Sequence, residues 1–405
     1  MKVNSIATCS PVNKNCGSKK QNFGDAYVTL SRANLGPIIE KNVKAYNNGD
    51  FIKMFQDSRK LAQKVIDNVN QRLGIANPKI KNVNDLTEKT DLYVLAAGSG
   101  SRFKTMATSV AKLRGNGEEF NKISVPFELG KGQQPLTMLD IPMAMGRFFA
   151  DEKGYSTIIA EQPTGSFGDI VQNYLNTGRE PRDVVVCCGD NVFDMKSEEM
   201  LDFIVDTINN PQKQLGVVGV ARTPEEVKER FGVLKVGAKD PQTGYLPLEG
   251  FVEKPPLEVA KKLVTEDGNN VANTGMFVIK QDSMDKFLKI IDFEKNILGG
   301  KTLYLAKDPK KEIYDFAEAT KKTQAIWGPE ASNTKIVKTW EDVGEPEAYL
   351  RWIQEVKNGH YLENFTPDRK AAILEATQQR VGDNFIQLSN NPKGEDTING
   401  IRIVA

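Results

Sequence analysis

Short apolar runs of strand length alternate with helical stretches from residue 91 onward, and this alternation limits the choice of fold more than any other feature. Runs of this kind are typical of strands that are buried on both faces of a sheet. Four of them lie at residues 92–97, 157–160, 184–188 and 215–220. A helical pattern at 197–208 separates the last two runs. The alternation predicts an α/β layered domain with a mostly parallel sheet.

The pattern predicts further elements beyond these runs. A helical stretch is expected at 197–208 and another in the tail at 367–380. The chain ends on a short apolar segment at 401–405, and no internal repeat is present. Four more strands are predicted at 233–236, 248–252, 276–279 and 335–340.

The residues before the α/β pattern form an extension of a different character. Residues 1–30 are polar, which predicts little ordered structure. Residues 35–73 carry an amphipathic helical stripe that Gly74 and Pro78 end. This helix is either a cap on the main domain or a docking and oligomerisation element. We therefore predict three parts, namely a partly disordered, then helical extension at 1–90, a main domain at 91–355 and a short tail with one helix at 356–405.

The charge balance excludes several classes of partner. The 405 residues include 54 Lys and Arg and 53 Asp and Glu, for a formal net charge of +1. Balanced charge gives no basic surface for nucleic acid or for a membrane. No apolar run reaches the roughly 18 residues needed to cross a bilayer, and the start of the chain does not look like a signal peptide. We expect a cytoplasmic protein, and a homo-oligomer stays open.

Histidine and cysteine usage narrows the chemistry. His360, near the C-terminus, is the one histidine in the sequence. A mechanism that needs a catalytic histidine in the main domain is therefore excluded, and so is a His-rich metal site. The four cysteines have no zinc spacing and imply no disulfide framework.

A glycine-rich loop follows the first predicted strand directly. Ala96 and Ala97 lead into Gly98-Ser99-Gly100, and Arg102 follows. Successive N–H groups in such a loop can hold phosphate oxygens, and an arginine adds a fork of donors. An ordinary tight turn explains the glycines equally well. The loop lacks the Gly-Lys-Ser/Thr of a P-loop, and Phe103 stands where a dinucleotide fingerprint needs its third glycine.

Two later segments could reach the same ligand. Lys122 precedes a strand-like segment and is either a surface lysine or a phosphate contact. After the strand at 157–160, Gln162 offers a donor and an acceptor that suit a base edge. Gly165 and Ser166 then either open a helix beneath a ligand or form an ordinary helix cap.

Carboxylates occur at the ends of two predicted strands. Gly189-Asp190-Asn191 follows the strand at 184–188, and Asp342 follows Trp340. Ligands of α/β sheets bind at the carboxyl ends of the strands, and carboxylates are hard ligands that suit Mg²⁺. Each carboxylate alone could belong to a plain turn. Three other segments share this part of the chain, namely Phe231-Gly232, Glu253-Lys254-Pro255 and Asn273-Thr274-Gly275.

The order of these motifs resembles that of the sugar-1-phosphate nucleotidyltransferases. That family has a Gly-rich loop with arginine, then a lysine, a Gly-Asp, a Glu-Lys-Pro and a Trp-x-Asp-x-Gly, and all five occur here between about residues 92 and 352. The resemblance implies a Rossmann-like three-layer nucleotidyltransferase domain with a mainly parallel mixed sheet, preceded by the helical N-terminal extension.

Within the family, the motifs look most like those of the glucose-1-phosphate adenylyltransferases. Asp140-Ile141-Pro142 and Asp342-Val343-Gly344 resemble segments of those enzymes. The chain departs from them at Asn121, where a proline is usual, and at Gly165-Ser166-Phe167. Its last fifty or so residues lack the repeats of a β-helix. The likeness favours ATP with glucose 1-phosphate, and through ADP-glucose a part in glycogen biosynthesis.

The resemblance also implies a mechanism and a role for each site residue. The sugar phosphate would displace pyrophosphate from the α-phosphorus of a nucleoside triphosphate, so catalysis would rest on positioning and charge neutralisation. Asp190 and Asp342 would hold Mg²⁺, with Arg102, Lys122 and Lys254 on the phosphates. The nucleotide site would consist of Ala96, Ala97, Gly98, Ser99, Gly100, Gln162, Gly165, Ser166 and Gly189. The sugar-phosphate site would consist of Asn191, Gly232, Glu253, Lys254, Asn273 and Gly275.

Other functions stay open. A dTTP-, UTP- or GTP-dependent member of the family would share these motifs. A cytidylyl- or molybdopterin-type transferase on the same fold is disfavoured by Glu253-Lys254-Pro255. A non-catalytic, sugar-nucleotide-binding regulatory subunit is disfavoured because Lys122, Asp190 and Asp342 are all present. A Rossmann dehydrogenase is the most distant alternative.

Overall fold

The structure is a computed structural model that describes residues 50–95, 138, 140–151, 154–155, 157–160, 180–284, 286, 316–365, 370, 396–398 and 401–403. Its helices are α1 (Asp50–Leu73), α2 (Val83–Lys89), α3 (Asp140–Gly146), α4 (Ser197–Asn209), α5 (Pro224–Val227), α6 (Leu257–Ala260), α7 (Phe316–Trp327) and α8 (Pro346–Lys357), with short 3-10 helices at Pro329–Ala331 and Leu362–Asn364. Its strands are β1 (Thr90–Leu95), β2 (Ala150–Asp151), β3 (Gly154–Tyr155), β4 (Thr157–Ala160), β5 (Asp183–Cys188), β6 (Asn191–Phe193), β7 (Leu215–Arg222), β8 (Val233–Val236), β9 (Leu246–Val252), β10 (Asn270–Ile279), β11 (Ser332–Val337), β12 (Trp340–Asp342), β13 (Asp396–Ile398) and β14 (Ile401–Ile403). None of these helices is long and apolar enough to cross a bilayer.

Eight strands form the main sheet, in the order β4-β1-β5-β10-β7-β11-β9-β8. β8 also pairs with β10, so that β7, β11, β9, β8 and β10 close into a barrel-like arrangement at one end of the sheet. β6 and β12 form a separate two-stranded ribbon, as do β2 with β3 and β13 with β14. The long strand β10 belongs to both parts of the sheet. Its second half pairs with β5 in the open part, and its first half pairs with β8 in the closed part.

The sheet is mixed, as predicted, and six of its eight described strands run in one direction, whereas β9 and β10 run in the opposite direction. Among the described strands of this sheet, β1 runs parallel to β4 and β5, and β7 runs parallel to β11. The other five pairings, three of which involve β10, are antiparallel. A continuous apolar run shows that a strand is covered on both faces, but it carries no information about strand direction. β8 and β9 pair as an antiparallel hairpin, and residues 237–245 connect them.

Most of the predicted strands are present. β4 and β8 have the predicted bounds, and β5, β7, β9 and β10 contain the predicted runs. The single strand predicted at 335–340 was wrong, because β11 ends at Val337 and β12 begins at Trp340 in a different sheet. The apolar residues of the two strands follow each other so closely that their spacing does not reveal the break.

The core lies on both faces of the sheet. Every residue of β5 from Asp183 to Cys187 is buried, and β7 is buried from Leu215 to Val220. Full burial along a strand requires cover on both faces, which is what a three-layer arrangement provides. The tail also contributes to this core, because the Phe365 ring stacks on the Trp352 ring of α8 with their centroids 6.3 Å apart.

The second part of the helical stretch predicted at 35–73 is present as α1, and Gly74 with a φ of +61° follows its last residue. The predicted residues 35–49 lie outside the described residues. α1 packs against α4, and Ile66 and Val69 on its inner face are fully buried. Arg72 donates to the carboxylates of Asp202 and Asp206 on α4 at 2.8 Å. The described part of the extension is therefore joined to the main domain by a shared core and by ion pairs. The division of the chain at residues 90 and 355 stays a prediction.

Candidate active site

Three strands end at the same level of the sheet. Leu95, the last residue of β1, is in register with Ala160 at the end of β4 and with Cys188 at the end of β5. The strands are parallel, so their carboxyl ends lie at one edge, where α/β sheets bind ligands. The glycine loop follows Leu95 in the sequence, the Gln162 segment follows Ala160, and Gly189-Asp190 follows Cys188.

The two candidate metal ligands are brought together by the ribbon of β6 and β12. Asn191 and Asp342 are paired across this ribbon. The pairing continues into the turn before β6, where the Val343 N–H donates to the carbonyl of Asp190 at 2.9 Å. Both aspartates are half-buried. Two carboxylates that are far apart in the sequence thus lie on neighbouring chain segments next to the end of β5.

An irregularity in β10 places the next part of the site beside Asn191. The register of β10 against β7 shifts between Asn273 and Phe277, so Thr274 and Gly275 lie in a bulge. The buried Asn191 side chain donates from Nδ2 to the Thr274 carbonyl, and Thr274 Oγ1 donates to the carbonyl of Val218 at 2.8 Å. Bulges of this kind redirect side chains near functional sites.

Gly275 lies where another residue would not fit. Its φ is +80°, and a Cβ at this position would lie 2.8 Å from Cys188 Sγ and 2.9 Å from Asn191 Nδ2. Glycine adopts this backbone conformation without strain and leaves this space open. The Gly275 N–H donates to Asn273 Oδ1 at 3.0 Å, which fixes the amide side chain against the bulge.

The Glu-Lys-Pro segment lies on the other side of Asn273. The Asn273 N–H donates to the Gly232 carbonyl at 2.8 Å. A Cβ on Gly232 would lie 2.8 Å from Glu253 Oε2, so the carboxylate of Glu253 lies directly over this glycine. Lys254 has a φ of +43°, and its ammonium lies 3.6 Å from Glu253 Oε1. Both side chains are exposed, so Lys254 and Glu253 can reach a bound ligand.

The described site residues therefore form one connected group. A chain of backbone pairings and hydrogen bonds runs from Asp342 and Asp190 through Asn191, the bulge and Asn273 to Gly232 and Glu253, with Gly189 buried beside Asp190. The remaining predicted site residues lie outside the described residues, and they are Ala96, Ala97, Gly98, Ser99, Gly100, Arg102, Lys122, Gln162, Gly165 and Ser166.

Sequence reasoning missed two residues that shape this group. Thr274 holds Asn191 through its carbonyl, and its position between two predicted site residues could have drawn attention to it. Cys188, whose Sγ lies 3.8 Å from the Gly275 carbonyl, is half-buried at the end of β5. Its neighbour Cys187 differs, because complete burial raises the pKa of that thiol to about 12. No signal in the sequence separates the two cysteines.

Asp190 and Asp342 are candidate ligands for a magnesium ion. The described residues contain no cluster of three or more acidic, His or Cys side chains that could enclose a metal. Mg²⁺ is usually bound by one or two carboxylates together with substrate phosphates and water, rather than by a complete protein cage. The donor set of Asp190 and Asp342 agrees with that mode of binding.

Two solved structures have a low overall similarity to this chain. A UDP-glucose pyrophosphorylase in complex with UDP-glucose has 17% sequence identity and a TM-score of 0.44, over 67% of this chain and 99% of that one. A structure from Bacillus anthracis described as a glucose-1-phosphate thymidylyltransferase, in complex with a sucrose, has 14% identity and a TM-score of 0.41, over 65% of this chain and 93% of the other. A comparison with curated proteins found no match.

A family model provides the stronger comparison. The model of the nucleotidyl transferases matches residues 149–359, which is more than half of the 405 residues. The match includes every described residue of the site, from Gly189 to Asp342. The chain belongs to the nucleotidyl transferase family.

Proposed function

We propose that the protein transfers a nucleotidyl group from a nucleoside triphosphate to a sugar 1-phosphate, and that its substrates are ATP and glucose 1-phosphate. The observation that carries the proposal is the connected group that links Asp190 and Asp342, through Asn191 and the bulge in β10, to Asn273 and Glu253. Family membership supports nucleotidyl transfer. The motif order supports a sugar 1-phosphate as acceptor, and its likeness to the glucose-1-phosphate adenylyltransferases supports ATP.

The chemistry requires no general base. A phosphate oxygen of the sugar 1-phosphate forms a bond to the α-phosphorus, the bond from that phosphorus to the bridging β-phosphate oxygen breaks, and pyrophosphate leaves with its electron pair. The attacking oxygen already carries charge, so no proton must be removed. This agrees with a sequence whose one histidine, His360, is exposed and lies beyond α8.

Each part of the group has a role in positioning. Asp190 and Asp342 would hold Mg²⁺, which would neutralise charge on the reacting phosphates. Asn191, Asn273 and Gly275 would line the sugar pocket, and the exposed carboxylate of Glu253 would accept hydrogen bonds from sugar hydroxyls. The ammonium of Lys254 would contact the phosphate of the sugar.

The nucleotide side of the site would be formed by segments that follow the aligned strand ends. Gly98 and Gly100 would bring backbone N–H groups to the triphosphate, with Ala96, Ala97 and Ser99 beside them. Arg102 and Lys122 would neutralise its charge. Gln162, Gly165 and Ser166 would face the base.

The experiment is a matrix of five nucleotides against three sugars. Pyrophosphate release would be measured with Mg²⁺ for ATP, dTTP, UTP, GTP and CTP, each with the 1-phosphates of glucose, mannose and N-acetylglucosamine. We expect the highest kcat/KM for ATP with glucose 1-phosphate. If a different triphosphate and sugar 1-phosphate give the highest kcat/KM, the proposed substrates are wrong but the proposed class of reaction stands. Folded protein that releases no pyrophosphate from any pair, yet binds a sugar nucleotide, would instead be a regulatory subunit.

A further inference from the structure

Trp340 lies where the metal-binding and sugar-binding parts of the candidate site meet. It begins β12, is paired with Phe193 of β6, and stands two residues before Asp342. Its side chain is 3% exposed, and its indole N–H has no hydrogen-bond partner among the described residues. The ring is therefore held by packing, so the residues that pack on it help to fix β12, which the pairing with β6 also holds.

Phe231 packs on one side of this ring. The two rings are T-shaped, with centroids 5.0 Å apart, which is a favourable arrangement for an aromatic pair. Phe231 directly precedes Gly232, whose carbonyl accepts from Asn273 and which lies beneath Glu253. A shift of the Trp340 ring would therefore also shift the segment that carries Gly232.

Arg222, the last residue of β7, holds Trp340 in two ways. Its Nη2 donates to the Trp340 carbonyl at 2.5 Å, and its guanidinium carbon lies 6.0 Å from the centre of the indole ring. The guanidinium also lies 3.9 Å from Glu226 on α5, which limits its freedom. A planar cation can make both contacts at once, whereas a lysine has a single compact donor.

We infer that Arg222 is a positioning residue that sets β12, and with it Asp342, against the Gly232 segment. The inference rests on the proposed function, because it assigns Arg222 a role in placing the two halves of that site. Arg222 acts through Trp340 in two directions. Its hydrogen bond fixes the backbone of β12, and its contact with the ring supports the packing of Trp340 on Phe231.

The test compares Arg222→Met and Arg222→Lys with a matched control, Arg351→Met. Arg351 also contacts β12, but through an ion pair of 3.2 Å to the side chain of Glu341, and it is 55% exposed. Initial rates would be measured against glucose 1-phosphate, ATP and Mg²⁺. Calorimetry would measure the binding of glucose 1-phosphate alone, without triphosphate or metal.

Arg222→Met should raise both the KM for glucose 1-phosphate and the Mg²⁺ concentration at half-maximal rate about tenfold, because a hydrogen bond from a charged donor is lost. Binding of glucose 1-phosphate in the calorimeter should weaken by a similar factor. The KM for ATP at saturating Mg²⁺ should not change. Arg222→Lys should show a smaller change, and Arg351→Met should match the wild type.

Each alternative result has a definite meaning. A lower kcat with unchanged KM and unchanged Mg²⁺ dependence would show that Arg222 serves stability alone, and this overturns the inference. Equal effects of Arg222→Met and Arg351→Met would also overturn it. If Arg222→Met does not fold, the KM for glucose 1-phosphate and the Mg²⁺ dependence are measured for Arg222→Lys instead, and unchanged values in that variant overturn the inference. A wild-type protein without turnover contradicts the proposed function, whereas an active wild type with unaffected Arg222 variants contradicts only the inference.

Discussion

Replacing Gly275 with alanine would test whether the bulge in β10 shapes the candidate site. The backbone there has a φ of +80°, and the new Cβ would lie 2.8 Å from Cys188 Sγ and 2.9 Å from Asn191 Nδ2. Gly268 offers a matched control, because its φ is +81° and a Cβ there would meet nothing within 4 Å. The two variants share the backbone strain and differ in the steric contacts.

The expected magnitudes follow from these two contributions. A non-glycine residue in a left-handed conformation costs about 1–2 kcal/mol, so Gly268→Ala should lower the free energy of unfolding by that amount. Gly275→Ala should cost about 1–3 kcal/mol more, because overpacking forces neighbouring groups to move. Asn191 is one of those groups, and its bond to the Thr274 carbonyl would be stretched or lost.

Urea unfolding and steady-state kinetics would measure the two effects separately. Gly268→Ala should keep the wild-type kcat and KM, whereas Gly275→Ala should raise the KM for the sugar phosphate about tenfold or more, since Asn191 leaves its position. Equal stability losses in the two variants would refute the steric argument. Wild-type kinetics in Gly275→Ala would refute the placement of the bulge in the sugar pocket.

Three further predictions address the metal site, the extension and the core. Asp190→Asn and Asp342→Asn should each lower kcat about a thousandfold or more, because neutral amides bind Mg²⁺ poorly, with little change in thermal stability. Arg72→Met should lower the free energy of unfolding by about 2–3 kcal/mol, since the Asp206 carboxylate, 1% exposed, would lose its ion pair. Burial raises the pKa of the Cys187 thiol from 9.0 to about 12, so its contribution to stability is present below pH 9 and is lost as pH rises. Wild type should therefore lose about 1.4 kcal/mol more than Cys187→Ala between roughly pH 8 and pH 10 in urea titrations.

Matched variants control these predictions. Asp194→Asn removes an exposed carboxylate that follows β6 directly and should leave kcat unchanged. Lys60→Met removes an ion pair at 3.6 Å whose partners are 79% and 56% exposed, and should cost less than about 0.5 kcal/mol. Full activity in Asp190→Asn or Asp342→Asn would contradict the metal assignment. A loss of stability in Arg72→Met no larger than that in Lys60→Met would contradict the role of the buried ion pair. The same pH dependence of stability in Cys187→Ala and wild type would contradict the argument from the raised thiol pKa.

Apolar patterning predicted where strands lie but not how they pair. The runs that became β4 and β8 were predicted at their observed bounds because their apolar residues cluster over the length of one strand. The reversed direction of β10 leaves no local pattern in the sequence, since parallel and antiparallel strands that are covered on both faces have the same composition. The break between β11 and β12 was missed for a related reason. Val337 and Trp340 read as one strand until their partners in different sheets are known.

In the candidate site too, the sequence reveals the motifs but not the contacts between segments that are far apart in the chain. The motifs that carry Asp190 and Asp342 are recognisable in the sequence, yet their proximity depends on the pairing of β6 with β12, which no local pattern encodes. Gly275 is visible as a glycine between polar residues. That its missing side chain makes room for Asn191 and Cys188 becomes apparent only when β5, β6 and β10 are packed together.

The mixed sheet has a direct consequence for how such a site can work. If β10 were parallel to β5, the chain would need a crossover before it could place Asn273 beside Gly232. Because β10 is antiparallel and pairs with β8 as well as β5, one strand brings its bulge to the end of β5 and its preceding residues to the Glu253 side of the site. The proposed transfer uses no proton acceptor, so it depends on the placement of two charged substrates. A single continuous strand between the two halves of the site limits their relative motion, which is what that dependence requires.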